Sequence, residues 1–184
     1  AFLRGEEGTV TRLAQRLMGS PDIYGGRERE PEQSVNFVTC HDGFSLNDLV
    51  SYNHKHNETN GEENRDGTDY NLSWNCGFEG PTDDPAIDGL RNRQIKNFIT
   101  ITLISVGTPM LSMGDEVRLT RYGNNNAYCQ DNETNWFDWS MLARHGDMHR
   151  FTKSLIGLRL SRRYQKGERS MTLNELLRKA RMSW

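Results

Sequence analysis

The feature that most constrains the fold is a short apolar stretch that ends in a histidine and an aspartate. It runs from Val35 to Gly43 and reads VNFVTCHDG. β-Branched and aromatic residues favour a strand here, and apolar side chains fall on both of its faces. This pattern is typical of a strand buried inside a parallel sheet, so both faces are expected to be covered. The strand stops at His41 and Asp42, and Gly43 permits a turn.

The position of His41 and Asp42 gives the first indication of function. In barrels and open α/β sheets, the chemistry takes place at the carboxyl ends of the strands. A carboxylate beside an imidazole at such an end is therefore a candidate catalytic or binding pair. The structural alternative is an aspartate that caps the next turn and a histidine satisfied by its neighbours. These two residues alone do not decide between the alternatives.

The charge and the cysteine content of the chain give no support to a nucleic-acid or membrane partner or to a zinc or disulfide site. The chain has 184 residues and a formal net charge of −2, so nothing global indicates nucleic acid or a membrane as a partner. No stretch approaches the roughly 18 apolar residues of a membrane-spanning helix. Its three cysteines form no CxxC pair and support neither a zinc site nor a disulfide framework. The first residue, Ala1, is not a methionine and no signal peptide follows, so we expect a piece of a longer chain.

Hydrophobic spacing and capping residues predict helices on both sides of the strand. Apolar side chains recur at helical intervals, and Asp84 followed by Pro85 is a favourable helix start. The predicted helices cover residues 8–19, 45–52, 84–106 and 147–160, with a loop over 20–33.

A second short strand repeats the arrangement of the first. It covers Pro109–Met113 and runs into Gly114, Asp115 and Glu116. The order strand, loop, helix, strand gives a parallel sheet with a right-handed crossover. The sequence therefore predicts an α/β fold in which both acidic strand ends lie on the same rim.

Long polar loops follow both strand ends, over residues 54–84 and 117–139. Both are rich in Asn, Asp, Glu and Gly, and both contain aromatic residues. Loops beyond about 12–15 residues are usually functional or disordered, and disordered segments hold few aromatics. Asn and Asp suit a poly-hydroxylated ligand, and Tyr and Trp offer flat surfaces to a sugar ring. Carbohydrate chemistry is therefore indicated, with decorative surface insertions as the structural alternative.

Other chemistries have weaker support. His54 and His56 could ligate a metal, but no third ligand stands in register, and loop histidines are usually solvated. Cys40 and His41 could form a nucleophile and base, but adjacent strand residues point to opposite faces. The chain has neither a P-loop nor a GxGxxG motif.

Several motifs together resemble the α-amylase superfamily, in the form found in isoamylase-type and bacterial glycogen-debranching enzymes. VNFVTCHDGFSL, at residues 35–46, resembles the fourth sequence region of that superfamily. The resemblance covers residues 1 to about 160 and is specific because its motifs occur in order. Further matching stretches are DLVSYN, HNETNGE, NRDG, SWNCG, GDE and GNNNAYCQDN.

The resemblance implies the C-terminal portion of a TIM (β/α)8 barrel. Residues 35–41 would form its strand 7 and residues 109–113 its strand 8, each with flanking helices. A complete barrel takes about 250 residues, so the barrel would be incomplete in this chain. Residues 1–160 would then belong to the catalytic barrel. Residues 161–184 would be a linker and the start of a C-terminal β-sandwich domain.

The family hydrolyses α-1,6-glucosidic branch linkages with retention, using a nucleophilic Asp, a general-acid Glu and a stabilising Asp. By resemblance, Asp42 matches the transition-state stabiliser and His41 contacts the same sugar. No motif resembling the other two carboxylates occurs, so this chain alone is expected to be inactive. The implied partner is a branched α-glucan such as glycogen, amylopectin or a limit dextrin. Further substrate-binding residues are expected in the two loops: Tyr70, Trp74, Asn125, Tyr128, Asp131 and Trp136.

The resemblance implies no metal and no other cofactor, and a location in the cytoplasm, or in the plastid of a plant or alga. A non-catalytic glucan-binding or regulatory protein on a decayed amylase scaffold is the alternative. The intact pair His41 and Asp42 favours the active form. Val117 and Arg118 depart from the small or aromatic residues expected after GDE.

Overall fold

The structure, a computed structural model, describes residues 2–24 and 33–161. The described residues fall into two compact units. The first comprises residues 2–24, 33–37, 100–110 and 153–161, and the second comprises residues 38–99 and 111–152. Within the described part of the chain, no helix has the length and apolar character needed to cross a membrane.

Helices dominate the described residues, and the strands are short. The α-helices are α1 (Val10–Leu17), α2 (Pro21–Tyr24), α3 (Leu46–Leu49), α4 (Pro85–Ile104), α5 (Met141–Arg144) and α6 (Gly146–Ser161). The strands are β1 (Val35–Asn36) and β2 (Thr108–Pro109). Single 3-10 turns lie at Phe2–Arg4, Glu58–Asn60, Asp115–Val117 and Ala127–Cys129.

In the first unit, β1 and β2 pair in parallel, as the sequence predicts. Val35 lies opposite Thr108 and Asn36 opposite Pro109. Each strand is shorter than predicted, although the N–H groups of Thr108 and Met110 both donate to the first strand, to the carbonyls of Ser34 and Asn36 at 2.7 and 2.9 Å. The approach to β2 needs Gly107, whose φ is +105° and whose added Cβ would lie 2.5 Å from a backbone carbonyl. A side chain at this position would push the paired strands apart.

The expectation that both faces of the first strand are covered is wrong for the described residues. Val35 is 55% exposed and Phe37 is 51% exposed. The apolar pattern of a central strand is present, but the side chains that would cover it are not among the residues described here. The apolar pattern of the first strand is therefore that of a strand in a larger sheet than the two described strands form.

The second unit has a compact apolar core under its polar loops. Ile95 and Ile99, four residues apart on α4, are essentially inaccessible and face this core. Ser45 starts α3, because its hydroxyl accepts a hydrogen bond from the backbone N–H of Asp48 at 3.2 Å. The remaining core side chains include Phe44, Leu46, Val50, Val117, Leu119 and Met148.

The predicted helices are confirmed, with shifted ends. Asp84 caps α4, since its Oδ1 accepts a hydrogen bond from the N–H of Ala86 at 2.8 Å. Two short helices were missed: α2 lies in the predicted loop over 20–33, and α5 precedes the predicted helix over 147–160. The predicted linker and domain start over 161–184 lies outside the described residues, apart from the last residue of α6.

Candidate active site

His41 and Asp42 stand exposed at the tip that follows β1. Their side chains are 90% and 81% exposed, and His41 Nε2 lies 3.4 Å from Asp42 Oδ2. The two residues can meet because β1 ends at Asn36 and the backbone bends before Gly43. Alternation along a strand therefore does not separate them. The pair presents a carboxylate and an imidazole together to solvent, where the carboxylate can accept hydrogen bonds from a ligand and the imidazole can donate or accept them.

A buried carboxylate, Asp115, holds the segment that carries this pair. Its Oδ2 accepts a hydrogen bond from the hydroxyl of Thr39 at 2.5 Å, and its Oδ1 accepts from the N–H of Leu46 at 3.0 Å. Thr39 and Leu46 flank His41 and Asp42 on either side. One side chain from the end of the second strand thus closes the loop that contains the exposed pair. The two acidic segments predicted to share a rim therefore lie close together within the second unit.

Asp115 itself is only 2% exposed. Burial raises the pKa of its carboxyl to about 6, although the hydrogen bonds from Thr39 and Leu46 act in the opposite direction. Next to it, Glu116 folds back so that its Oε2 accepts a hydrogen bond from the N–H of Gly114 at 3.0 Å. The second acidic end therefore supports the loop, whereas Asp42 faces solvent.

Asparagine side chains join the two long loops. Asn57 is fully buried, and its Nδ2 donates to Asn125 Oδ1 at 2.9 Å while its Oδ1 accepts from the N–H of Asn125 at 3.0 Å. Asn124 Nδ2 donates to Asn60 Oδ1 at 2.8 Å. Asp66 Oδ2 accepts from the amide groups of Asn60 and of Asn126. The loops predicted to bind a ligand are therefore one hydrogen-bonded body.

Asn125 has a different position from the other predicted substrate contacts. It is 3% exposed, and its Nδ2 donates to the carbonyl of Thr68 at 2.8 Å and to Asn71 Oδ1 at 2.7 Å. Its carbonyl accepts from the N–H of Gly43 at 3.1 Å, next to Asp42. This side chain is occupied by protein groups, so the geometry gives it a role in positioning the loop beside the exposed pair.

The predicted aromatic contacts lie on the surface of the loops. Tyr70 is 89% exposed and Tyr128 is 83% exposed. Trp74 is half-buried, and its backbone N–H donates to the carbonyl of Leu49 at 3.0 Å. Trp136 is 55% exposed, and its indole N–H donates to Asp131 Oδ1 at 2.9 Å. Contact of these side chains with a glucan stays a prediction.

Two further carboxylates that sequence reasoning did not single out hold the site together. Asp48, on α3, is fully buried. Its Oδ1 accepts from the hydroxyl of Thr120 at 2.5 Å and its Oδ2 from the N–H of Arg121 at 2.7 Å. Burial raises the pKa of Asp48 against these hydrogen bonds. No local signal shows such a role, because the partners lie more than 70 residues away.

Glu79 is the second of these carboxylates. It accepts hydrogen bonds from the backbone N–H groups of Asn53 and His54, at 2.9 and 3.0 Å. His56 Nε2 lies 3.6 Å from Glu79 Oε1. Burial alone would raise the pKa of Glu79, but the hydrogen bonds lower it overall. Among the residues with described positions, no group of three potential ligands could hold a metal ion.

Comparison with curated proteins identifies relatives of this chain by sequence. No family model matches the chain. A glycogen operon protein GlgX homolog from Mycobacterium bovis is 53% identical over 173 residues, which are 91% of this chain and 24% of that protein. Isoamylase 3, chloroplastic, from Oryza sativa subsp. japonica is 48% identical over 176 residues, which are 95% of this chain and 22% of that protein.

Solved structures agree with the sequence comparison. Apo pullulanase from Paenibacillus barengoltzii matches with a TM-score of 0.61 and 30% identity, covering 88% of this chain and 21% of that one. The same enzyme in complex with maltohexaose and α-cyclodextrin matches with a TM-score of 0.60 and 28% identity, with the same coverage. The described region is thus a partial α/β fold of the kind found in these enzymes.

The chain spans about a quarter of the length of the curated relatives that it matches. Over that span the order of the motifs and the paired parallel strands agree with the resemblance found in the sequence. The chain is therefore homologous to one segment of the isoamylase-type and GlgX proteins of the α-amylase superfamily.

Proposed function

We propose that this chain is part of a debranching enzyme that hydrolyses α-1,6-glucosidic branch linkages of glycogen or related glucans with retention. The observation that carries the proposal is the exposed pair His41 and Asp42, held on a clamped loop, in a chain 53% identical to a GlgX homolog. The relatives named as isoamylases and pullulanases supply the reaction class. The same likeness proposes a location in the cytoplasm or, for a plant or alga, in the plastid.

Asp42 acts in this proposal as the transition-state stabiliser. Glycosidases of this kind pass through an oxocarbenium-like transition state flanked by carboxylates. A charged, solvent-facing carboxylate such as Asp42 can accept hydrogen bonds from sugar hydroxyls that strengthen as that state forms. His41, 3.4 Å away, can reach the same sugar. The nucleophile and the general acid would come from parts of the longer protein outside these 184 residues.

The two long loops are proposed to bind the branched α-glucan around this position. Their asparagine network fixes the backbone from which Tyr70 and Tyr128 project into solvent. An aromatic side chain held by a rigid loop offers a flat surface to a sugar ring without a large ordering cost on binding. In the same proposal, β1 and β2 are strands 7 and 8 of the catalytic barrel.

The direct test is Asp42→Asn in the full-length protein that contains this chain. Turnover on glycogen limit dextrin, measured by release of reducing ends, should fall by roughly 10²-fold or more because the charge that stabilises the transition state is lost. Glu7→Gln, which neutralises an exposed carboxylate outside both loops, is the matched control and should keep turnover within about twofold. Near-normal turnover of Asp42→Asn, at an unchanged circular dichroism spectrum, would show that Asp42 is not the stabiliser.

The alternative, a glucan-binding protein without activity, predicts a different outcome of the same assay. The full-length wild-type protein would then bind glycogen but release no reducing ends. The 184-residue polypeptide alone is expected to release none in either case, because one carboxylate cannot serve as both nucleophile and general acid. Hydrolysis by that polypeptide would contradict the assignment of the catalytic residues.

A further inference from the structure

A polar pocket lies within the second unit, and neither His41 nor Asp42 lines it. Its volume is about 370 Å³, within the ~300–1,000 Å³ range of small-molecule sites. Segments that are distant in sequence build its walls: α3 with the residues after it, the first turns of α4, residues 118–122 and residues 133–144. This pocket, called here the Arg118 pocket, is lined partly by the two loops proposed above to bind glucan, but the function proposed above gives the pocket itself no separate role.

Arg118 is a buried residue in the lining of the pocket. Its side chain is only 7% exposed, and its Nη2 donates to Asp88 Oδ1 at 2.7 Å while its Nε donates to Asn47 Oδ1 at 3.2 Å. The backbone of Arg118 has a φ of +60°, a conformation that side chains rarely adopt. Its guanidinium holds the pKa of Asp88 below the usual range, so Asp88 is charged at neutral pH. A buried cation and a half-exposed carboxylate therefore meet at fixed geometry in the pocket.

Charge balance indicates the class of ligand. The lining residues include three arginines and three carboxylates, so the formal charge of the pocket is zero: Arg91, Arg118 and Arg144 against Asp88, Glu133 and Asp138. A formal charge of zero gives no net attraction to an anionic or to a cationic ligand, so the balance favours a neutral one. A neutral ligand with many hydroxyl groups can donate to the carboxylates and accept from the guanidinium groups, as paired vicinal hydroxyls of a sugar do.

Two exposed aromatic side chains complete the walls. Tyr122 is 61% exposed and Trp136 is 55% exposed, and both line the pocket. The indole of Trp136 is held by its hydrogen bond to Asp131. The backbone of Tyr122 is held through Thr120, whose hydroxyl accepts from the N–H of Tyr122 at 3.0 Å and donates to the buried Asp48. Flat apolar surfaces beside paired charged groups form a combination suited to a sugar ring.

We propose that the Arg118 pocket binds an unbranched segment of the α-glucan while Asp42 meets the sugar at the cleavage point. This assignment rests on the proposed function for its substrate class. The pocket wall begins at Asn47, five residues after Asp42. Five residues span at most about 18 Å, so one branched glucan molecule can reach both places. Binding at the pocket would favour substrates with long chains over short ones.

Calorimetric titration of the full-length protein with maltohexaose tests the assignment, because this linear glucan contains no α-1,6 linkage and is not a substrate for debranching. The double variant Tyr122→Ala and Trp136→Ala removes both aromatic walls from exposed positions, where folding is little affected. Its affinity for maltohexaose should fall about tenfold. Trp139→Ala is the matched control, since Trp139 is 76% exposed, lies three residues from Trp136 and is outside the pocket wall. It should stay within twofold of wild type.

Unchanged affinity of the double variant, or absence of maltohexaose binding to wild type, would overturn the assignment whatever the turnover. The proposed function is judged separately, by the release of reducing ends from limit dextrin. Loss of maltohexaose affinity in a protein without debranching activity would reject the proposed reaction and support the pocket. Arg118→Lys gives an independent check, since lysine keeps the charge but loses the fork to Asp88 and Asn47 and should weaken binding as well.

Discussion

At the scale of single residues, Asp115 connects stability to pH. Its pKa is about 6 in the folded state, above the ordinary aspartate value of 3.8. The folded state therefore binds this proton more tightly than the unfolded state, so the stabilising contribution is complete below about pH 4 and is lost as pH rises through 6. The difference corresponds to about 3 kcal/mol, as an order of magnitude.

We expect this loss to be visible in hydrogen exchange at the Leu46 amide, which donates to Asp115. In the full-length protein, the opening free energy of this amide, corrected for intrinsic exchange, should fall between pH 4.5 and 7. Asp115→Asn removes the titration and should flatten the profile. The Trp74 amide, which donates to the carbonyl of Leu49, serves as a control in the same spectra. A pH-independent value at Leu46 in wild type would contradict the role of Asp115.

Two glycines with the same backbone conformation test the asparagine network. Gly67 has a φ of +71°, and an added Cβ would lie 2.3 Å from Asn125 Oδ1. Gly61 has a φ of +79° with no atom within 4 Å of an added Cβ. Both alanine variants bear the cost of positive φ, about 1–2 kcal/mol, but Gly67→Ala must also displace Asn125. Limited proteolysis should therefore cleave the loop over residues 54–84 much faster in Gly67→Ala than in Gly61→Ala, and equal rates would show that the network does not hold the loop.

Residue types revealed part of the site, and the reason for the limit is physical. His41 and Asp42 could be found from sequence because their role depends on a local event, the end of an apolar strand. Sequence could not show the structural roles of Asp48, Asp115 and Glu79, because a surface carboxylate and a buried one look alike in sequence. What distinguishes them is a partner brought close by the fold.

At the scale of elements, helix starts were predictable because the cap is a local structure. Asp84 and Pro85 identify the first turn of α4, and the Asp84 carboxylate accepts from the N–H groups of Ala86 and Ile87. The ends of strands were not predictable from sequence, because a strand extends only as far as its neighbouring strand offers hydrogen bonds. The short helices α2 and α5, four residues each, carry too little periodicity to be detected.

The cap of α4 gives a prediction at this scale. Asp84→Ala should lower the stability of the first turn by about 0.5–2 kcal/mol, because the amides of Ala86 and Ile87 lose their acceptor. Hydrogen exchange at these two amides measures the change. Asp84→Asn should restore most of the protection, and Asp83→Ala, one residue outside the cap, should have little effect. If Asp84→Ala leaves both amides as protected as in wild type, the cap contributes nothing measurable.

At the scale of the whole molecule, the main feature is apolar surface that the strand pattern of the sequence predicts to be buried but that is exposed in the described residues. Large apolar side chains of the two predicted strands are exposed in the described residues: Val35, Phe37, Met110 and Met113. Contiguous exposed apolar surface favours association, and unpaired strand edges favour pairing with other chains. A two-stranded sheet is also too small to be stable by itself.

The 184-residue polypeptide expressed alone should therefore unfold without a sharp transition and should associate in solution. Light scattering and a calorimetric scan measure both properties. Replacing Val35 and Phe37 by Thr should reduce the association, because it removes apolar area from the exposed segment and leaves a residue of high strand propensity at both positions. The matched pair Tyr70→Thr and Leu72→Thr, which are exposed on a loop and not on a strand, should reduce it less. A monomeric polypeptide with a cooperative, two-state transition would show that the described units stabilise themselves, and that the apolar pattern of the first strand does not require a larger sheet.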